Sequence, residues 1–295
     1  MKRILSVAVA AVLLVGSAGL APPPPATTTT ADVVAGFAQP TQQARLAHLR
    51  ALLDRHGLAY EIQPFTYRPG AGEGYNVVVT IGEGERDILL TAHYDAERLA
   101  DGTLVDGVVD NAASVAALVR AAAALRSGLK NHRLRIVFFD QEELGLLGAK
   151  AYAAREDGER VAAVFNFDIN AYGDTPFYAA PPRKEDAALA EAVTAACRAA
   201  QESCRPFEVY PPSDHMAFWM RFKPATSFSY LPRQEVDELQ AFMLESRKAS
   251  RNALPPPRIL SLIHTPNDRI EAVDPATIER AAALAVQLVR AADAR

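Results

Sequence analysis

The 295-residue chain contains little cysteine, one tryptophan and no excess of basic residues. Its 31 lysines and arginines are outnumbered by 35 aspartates and glutamates, which gives a net charge of -4. A protein that binds nucleic acid through its phosphates needs the opposite balance, so we expect no nucleic-acid partner. With 49% apolar and 22% charged residues, the chain has the composition of a globular protein.

The two cysteines, Cys197 and Cys204, allow at most one disulfide bond within the chain. Seven steps along a continuous helix would place their Cα atoms ~10 Å apart, which is too far for a disulfide. A bridge therefore requires the helix to end before Cys204, and Pro206 makes such an end possible. Export from the cytoplasm would favour pairing. The sequence leaves both the bridged and the free state open.

Beyond the N-terminus, no apolar run approaches the roughly 20 residues of a membrane span. At the N-terminus, Met1-Lys2-Arg3 precedes an apolar run from Ile4 to Val15, and small residues follow. This layout predicts a secretory signal peptide over residues 1–21; an uncleaved membrane anchor is the alternative. We expect an exported protein, periplasmic or secreted, with no stable membrane association after signal cleavage.

Residues 22–40 are rich in proline and threonine, which predicts an extended linker. The folded unit is expected to begin near residues 35–41. We find no internal repeat and no sign of a second domain, so residues 41–295 are interpreted as a single domain. A monomer is expected.

Apolar runs and alanine-rich helices alternate along most of this domain. A helix is predicted over 41–56, followed by strands near 60–67 and 76–81. Later strands are predicted at Ile88–Ala92, Leu134–Phe139, Val161–Phe167, Ala225–Tyr230 and Ile259–Ile263. Helices are predicted near 111–127, 144–156, 184–202, 235–250 and 275–293. Continuously apolar strands interleaved with helices indicate a three-layer α/β/α sandwich around a mixed, mainly parallel sheet.

Several of these predicted strands end in a histidine or an acid. The residues at or just after the strand ends are His93 and Asp95, then Asp140, Glu142 and Glu143, then Asp168, and finally His264. In an open parallel sheet, the carboxyl ends of the strands lie along one edge, where ligands bind. Asp110, at the start of the following helix, is within reach of the same edge.

Each residue alone has a simpler explanation. His93 could be a core histidine, Asp110 a helix N-cap and Asp168 a turn former. The two adjacent glutamates could begin a helix, where negative charge is favourable. The combination favours a metal site, because Zn²⁺ binds histidine nitrogen and carboxylate oxygen. Two Zn²⁺ ions carry +4; three carboxylates and a bridging hydroxide balance that charge, which leaves Glu142 for proton transfer.

At this point the chain resembles the M28 family of zinc aminopeptidases. The matching stretches are TAHYDAE (91–97), DGVVDNAASVAALV (106–119), FFDQEELGLLGAK (138–150), FNFDIN (165–170), PPSDHMAF (211–218) and HTPNDRIEAVDP (264–275). Together they cover nearly the whole chain from about residue 41 onward, in the family's order.

The resemblance implies two zinc ions, for which Co²⁺ or Mn²⁺ could substitute. His93 and Asp168 would bind one ion, and Glu143 and His264 the other. Asp110 would bridge the two. Glu142 would be the general base, and Asp95 would accept the other ring N–H of His93. The implied substrates are the N-termini of peptides or proteins.

Further residues of these motifs have less defined roles. Asp214 and His215 are interpreted as supporting residues near the site. Tyr210 is a candidate donor to the substrate carbonyl oxygen in the transition state, with a packed aromatic side chain as the alternative. The chain departs from the family at Ile263, where some members have tyrosine, and at Gln141, where a small residue is common.

Three other functions compete with the aminopeptidase. A glutaminyl cyclase shares the fold but uses one zinc; the DNAAS and LGLLGAK segments favour the peptidase. A related carboxypeptidase class inserts a dimerisation domain, for which the interval between Asp168 and His264 is too short. A non-catalytic zinc-binding or peptide-binding protein would leave Glu142 without a purpose.

Overall fold

A computed structural model describes residues 29–67, 69–70, 72–155, 160–247 and 254–295. The predicted signal peptide and residues 22–28 of the predicted linker lie outside these residues, and the signal peptide remains a prediction. Within the described ranges, no helix has the length and apolarity needed to cross a membrane.

The core of the fold is one eight-stranded mixed sheet. Its strands are β1 (Tyr60–Phe65), β2 (Gly74–Ile81), β3 (Asp87–His93), β4 (Arg133–Phe139), β5 (Val161–Phe167), β6 (Thr175–Ala179), β7 (Arg205–Phe207) and β8 (Ala225–Leu231). Their spatial order is β1-β2-β4-β3-β5-β8-β6-β7. The four central strands β4, β3, β5 and β8 are parallel, whereas β2 and β6 pair with them in antiparallel fashion. The parallel centre therefore brings four strand ends to one edge.

Helices cover both faces of the sheet. They are α1 (Thr30–Ala35), α2 (Gln42–Arg55), α3 (Ala113–Ala124), α4 (Leu147–Ala153), α5 (Ala187–Ala199), α6 (His215–Trp219), α7 (Arg233–Arg247) and α8 (Pro275–Asp293). Alternate residues of β3 point to opposite faces, as strand geometry requires. Ile88 and Leu90 pack with α3 and α8 in the larger core, while Leu89 packs with α4 and α6 in the smaller one. The predicted three-layer sandwich is thus confirmed.

The structure corrects three details of the sequence prediction. The ordered fold begins earlier than residues 35–41, because α1 forms inside the predicted linker and buries Val34 completely. β6 and β7 are two short strands that the sequence analysis did not predict. Ile259–Ile263 is not a strand: a 3-10 helix spans Arg258–Ser261, and Leu260 is exposed, so the run is not buried on two sides.

The cysteines form a disulfide bond, with Cα atoms 6.0 Å apart. This is possible because α5 ends at Ala199, before Cys204, as a bridge requires. The bond joins the end of α5 to the segment that leads into β7.

We predict that replacing both Cys197 and Cys204 by serine lowers the free energy of unfolding by about 2 kcal/mol. The bridge closes a short loop, so the unfolded chain regains only the entropy of that loop when the bond is lost. Urea unfolding of the variant and of the wild type measures the difference. Wild-type protein under reducing conditions should match the variant; equal stability of oxidised wild type and variant would contradict the prediction.

Candidate metal centre

Five predicted ligands converge at the carboxyl edge of the parallel strands. His93 is the last residue of β3, and Asp168 directly follows β5. Glu143 lies in the turn between β4 and α4, while Asp110 precedes α3. His264 comes from the loop after the 3-10 helix, on the open side of the site. Five separate chain segments therefore each deliver one side chain.

The five side chains form two groups that share Asp110. In the first, His93 Nε2 lies 3.0 Å from Asp110 Oδ1 and 3.6 Å from Asp168 Oδ1. In the second, His264 Nε2 lies 3.3 Å from Asp110 Oδ2 and 3.0 Å from Glu143 Oε2. Each oxygen of Asp110 thus faces a different histidine. A third possible grouping of His93, Glu142 and Glu143 overlaps both.

The electrostatics of the cluster suit divalent cations. His93 Nε2, Glu143 Oε1 and Asp168 Oδ1 are buried and receive no hydrogen bond from any described residue. Burial lowers the pKa of His93, but the surrounding carboxylates outweigh this and raise it well above its ordinary value. Hydrogen bonding of the His264 ring to the carboxylates of Asp110 and Glu143 raises the pKa of His264 to about 11. Such a potential attracts positive charge, and imidazole with carboxylates is a donor set that Zn²⁺ accepts.

The two glutamates of the strand-end motif differ in surroundings. Burial, followed by the charge of Asp110, raises the pKa of Glu143 to about 7. Burial also raises the pKa of Glu142 well above its ordinary value; His93 opposes this, while Asp214 and Asp168 add to it. Glu142 therefore has a high proton affinity and lines the pocket beside the cluster.

Asp95 supports both His93 and the glutamate pair. Its Oδ1 lies 3.3 Å from His93 Nδ1, the position predicted from the sequence. It also accepts hydrogen bonds from the backbone amides of Glu142 (3.1 Å) and Glu143 (3.2 Å). The sequence analysis did not anticipate this second contact. Asp140 accepts from the amides of Gln141 (2.9 Å) and Tyr75 (3.0 Å), and so holds the same turn.

A buried network that the sequence analysis did not predict orients Asp168. Ser213 Oγ donates to Asp168 Oδ2 at 2.6 Å, and Asn166 Nδ2 donates to Ser213 Oγ at 2.8 Å. Thr91 Oγ1 in turn donates to Asn166 Oδ1 at 2.7 Å. These residues lie on three different segments, so no local spacing could reveal the network.

Asn111, the neighbour of Asp110, brackets the backbone on both sides of Asp168. Its Nδ2 donates to Phe167 O at 2.9 Å, and its Oδ1 accepts from Ile169 N at 3.2 Å. One candidate ligand is thereby tied directly to the segment that carries another. Only the asparagine next to Asp110 in the DNAAS motif hints at this role in the sequence.

Three non-glycine residues in or next to the cluster have positive φ angles: Gln141 (57°), Ile169 (58°) and His264 (56°). Such a conformation is unfavourable for a β-branched residue like Ile169, and strained residues concentrate at functional sites. The backbone is bent at the positions that aim Glu142, Asp168 and His264.

The remaining predicted residues lie beside the cluster. Asp214 and His215 are buried, and both Asp214 oxygens receive no hydrogen bond within the described part of the chain. The Tyr210 hydroxyl lies 2.5 Å from Ser229 Oγ, which donates to the carbonyl oxygen of Asp168. His215 packs edge-on against Tyr210 and Trp219, with ring centroids 5.5 and 4.5 Å away.

A pocket of about 110 Å³ opens directly beside the cluster. Asp110, Glu142, Glu143, Asp168 and His264 form its polar end. Its opposite wall is apolar and includes Phe177, Leu231, Leu239, Ile259 and Ile263. A substrate group in this pocket would therefore contact apolar side chains while its reacting bond lies near the carboxylates.

The α/β sandwich and the His/carboxylate cluster at its strand ends agree with a match to a family of peptidases. The model of peptidase family M28 matches residues 76–289, and the chain belongs to that family. The leupeptin-inactivating enzyme 1 of Streptomyces exfoliatus is 28% identical over 132 residues, which are 43% of this chain and 29% of that enzyme. The aligned segment thus spans less than a third of that relative's length.

Three solved structures share the fold. A zinc aminopeptidase of Bacillus subtilis has a TM-score of 0.56 at 20% identity, over 75% of this chain and 50% of its own. A Zn-dependent exopeptidase of Parabacteroides distasonis has a TM-score of 0.64 at 18% identity, over 89% and 97%. The glutaminyl cyclase of Tannerella forsythia has a TM-score of 0.66 at 18% identity, over 88% and 96%. At these identities the likeness establishes the fold alone.

We predict that His215 makes stability depend on pH. Burial lowers its pKa to about 3 in the folded protein, whereas an unfolded histidine titrates near ~6.5. Between these values the unfolded state binds more protons, so stability falls as the pH falls. The loss of unfolding free energy between pH 7 and pH 5 should be about 2 kcal/mol smaller in His215→Gln than in the wild type. Equal losses, measured by urea unfolding at both pH values, would contradict this.

Proposed function

We propose that this protein is an exported dizinc aminopeptidase that releases single residues from the N-termini of peptides. The observation that carries this proposal is the position of Asp110. One of its oxygens faces His93 and the other faces His264, so a single carboxylate is available to two metal ions. His93 and Asp168 would complete one ion's ligands, and Glu143 and His264 the other's.

Zinc at these positions would polarise the substrate carbonyl and make a water molecule more acidic. The residues of the chain provide the rest. Glu142 lines the pocket next to the cluster, so it can take a proton from the attacking water and deliver it to the leaving amine. Asp95 holds the amide of Glu142 and thereby fixes the base.

Tyr210 is a candidate donor to the carbonyl oxygen of the substrate. It lines the pocket, and its hydroxyl contacts Ser229 Oγ, which itself donates to the backbone. The Tyr210 proton therefore points toward Ser229 until a substrate oxygen competes for it. Tyr210→Phe, which removes this hydroxyl, should therefore lower kcat and change KM little.

A glutaminyl cyclase is the second candidate, because a protein of that name shares the fold over nearly its full length. The position of Asp110 between two histidines favours two zinc ions, whereas a glutaminyl cyclase would use one. A non-catalytic binding protein would not need Glu142 at the pocket. Export is supported by the N-terminal pattern of residues 1–21 and by the Cys197–Cys204 bridge, since disulfides persist in oxidising compartments.

We predict that Glu142→Gln abolishes hydrolysis but not metal binding. Glutamine keeps the size of the side chain and cannot accept the proton, so kcat on leucine p-nitroanilide should fall by about 10²–10⁴-fold. Metal content, measured by mass spectrometry after gel filtration, should remain at two zinc ions per chain.

Glu143→Gln is the matched comparison, because it alters the neighbouring glutamate and should lower zinc content together with activity. Full activity of Glu142→Gln would contradict the assignment of the base. One zinc per wild-type chain, together with cyclisation of N-terminal glutamine, would instead support the cyclase.

We predict a preference for large apolar N-terminal residues. Burying a leucine side chain in the pocket is worth about 2 kcal/mol, so kcat/KM for leucine should exceed that for glycine by about 30-fold. An N-terminal aspartate would place a charge against Phe177 and Ile263 and should be cleaved more slowly still. A panel of aminoacyl anilides measures this, with Nα-acetyl-leucine anilide as the control for exopeptidase action. Equal rates for leucine and aspartate would contradict it.

A further inference from the structure

Two buried charged residues outside the proposed ligand set act on the segment that carries Asp110. Arg45, on α2, is completely buried, and Asp268, four residues after His264, is 1% exposed. Neither contacts the pocket. A buried charge is costly unless it is fully paired, so both residues require a physical reason.

Among the described residues, Arg45 donates only to backbone carbonyl oxygens. Its Nη1 donates to Asp106 O at 2.6 Å and to Phe37 O at 2.6 Å, and its Nη2 donates to Gly107 O at 3.1 Å. Its Nε donates to Tyr94 O at 2.7 Å, immediately after His93. One guanidinium therefore joins α2 to both the strand end that carries His93 and the segment before Asp110.

Within the described part of the chain, Asp268 accepts only from backbone amides of the same segment. Its Oδ1 accepts from Val108 N at 2.9 Å and Val109 N at 2.6 Å, and its Oδ2 accepts from Asp110 N at 3.1 Å. The positively charged side chain of Arg45 thus binds the carbonyls of residues 106 and 107, and the negatively charged side chain of Asp268 binds the amides of residues 108 to 110. Five consecutive residues are held by two side chains from distant parts of the chain.

Gly107, which Arg45 contacts, cannot readily be replaced. Its φ angle is +59°, and a Cβ added there would lie 2.6 Å from Ala96 Cβ and 3.0 Å from Arg45 Nη2. A larger residue would therefore be strained, would clash with Ala96 and would crowd the guanidinium. The positive charge of Arg45 also interacts electrostatically with the carboxylates of Asp95, Asp268 and Asp110. It offsets part of the negative charge gathered at the cluster.

We infer that Arg45 and Asp268 are positioning residues that fix the Asp110 carboxylate between the two metal ions. This inference rests on the proposed dizinc function. It assigns the two residues to metal binding rather than only to general stability, because they hold the five residues that end at the shared ligand.

The chain contains a matched control for Asp268. Asp293 also accepts from three consecutive backbone amides, those of Lys130, Asn131 and His132, at 2.8 to 3.0 Å. These amides precede β4 at the opposite edge of the sheet from the cluster. Asp268→Asn and Asp293→Asn therefore remove the same kind of contact at two places. In each variant, an NH₂ group replaces one carboxylate oxygen, and this group cannot accept a hydrogen bond from a backbone amide.

The experiment titrates full-length wild type, Asp268→Asn, Asp293→Asn and Arg45→Lys with Zn²⁺ against a chromophoric chelator. Urea unfolding of each chelated protein measures stability in parallel. We expect two zinc ions in the wild type and a loss of affinity of about 10–100-fold in Asp268→Asn, the usual effect of losing a residue that orients a ligand. Asp293→Asn should lose stability while keeping wild-type affinity. Arg45→Lys keeps the charge but lacks the planar fork, and should also lose affinity.

Hydrogen exchange gives a second readout that does not depend on metal. The amides of residues 108–110 should exchange faster in Asp268→Asn, and those of residues 130–132 faster in Asp293→Asn. Wild-type zinc affinity in Asp268→Asn, or equal losses in both asparagine variants, would overturn the inference while leaving the proposed function intact. A wild-type protein that binds no zinc would overturn both.

Discussion

The repulsion among clustered carboxylates is the constraint on which the rest of this structure depends. Asp110, Glu143 and Asp168 meet at one edge of the sheet, with Glu142 and Asp95 close by. Like charges in a partly buried site oppose folding, and the histidines offset only part of that charge. The parallel strand arrangement brings these groups together, and bound cations would provide the remaining compensation.

The protein holds these groups with contacts that come mostly from other segments. Asn111 brackets Asp168, Ser213 donates to it, and Asp95 binds the amides of the glutamate pair. Positive φ angles beside three site residues add backbone strain, which the surrounding contacts must outweigh. These contacts favour a site whose geometry is set before ions or substrate bind, which is the condition for effective electrostatic catalysis.

The sequence predicted most of the fold and the set of clustered residues, because both depend on local patterns. The apolar runs that lead to His93, Glu143 and Asp168 can each be recognised from the local sequence. The parallel topology then places these three residues at the same edge of the sheet. His264 was correctly placed at the site but for a wrong reason, since it follows a 3-10 helix rather than a strand. The contacts of Asp268 could not be predicted, because 158 residues separate it from Asp110 in the chain.

The central claim is that one carboxylate, Asp110, is shared by two metal ions. Anomalous diffraction at the zinc absorption edge, from crystals of the zinc-loaded protein, tests it most directly. Two peaks are predicted, one beside His93 and Asp168 and the other beside Glu143 and His264, with Asp110 between them. A single peak at full zinc occupancy would contradict the account.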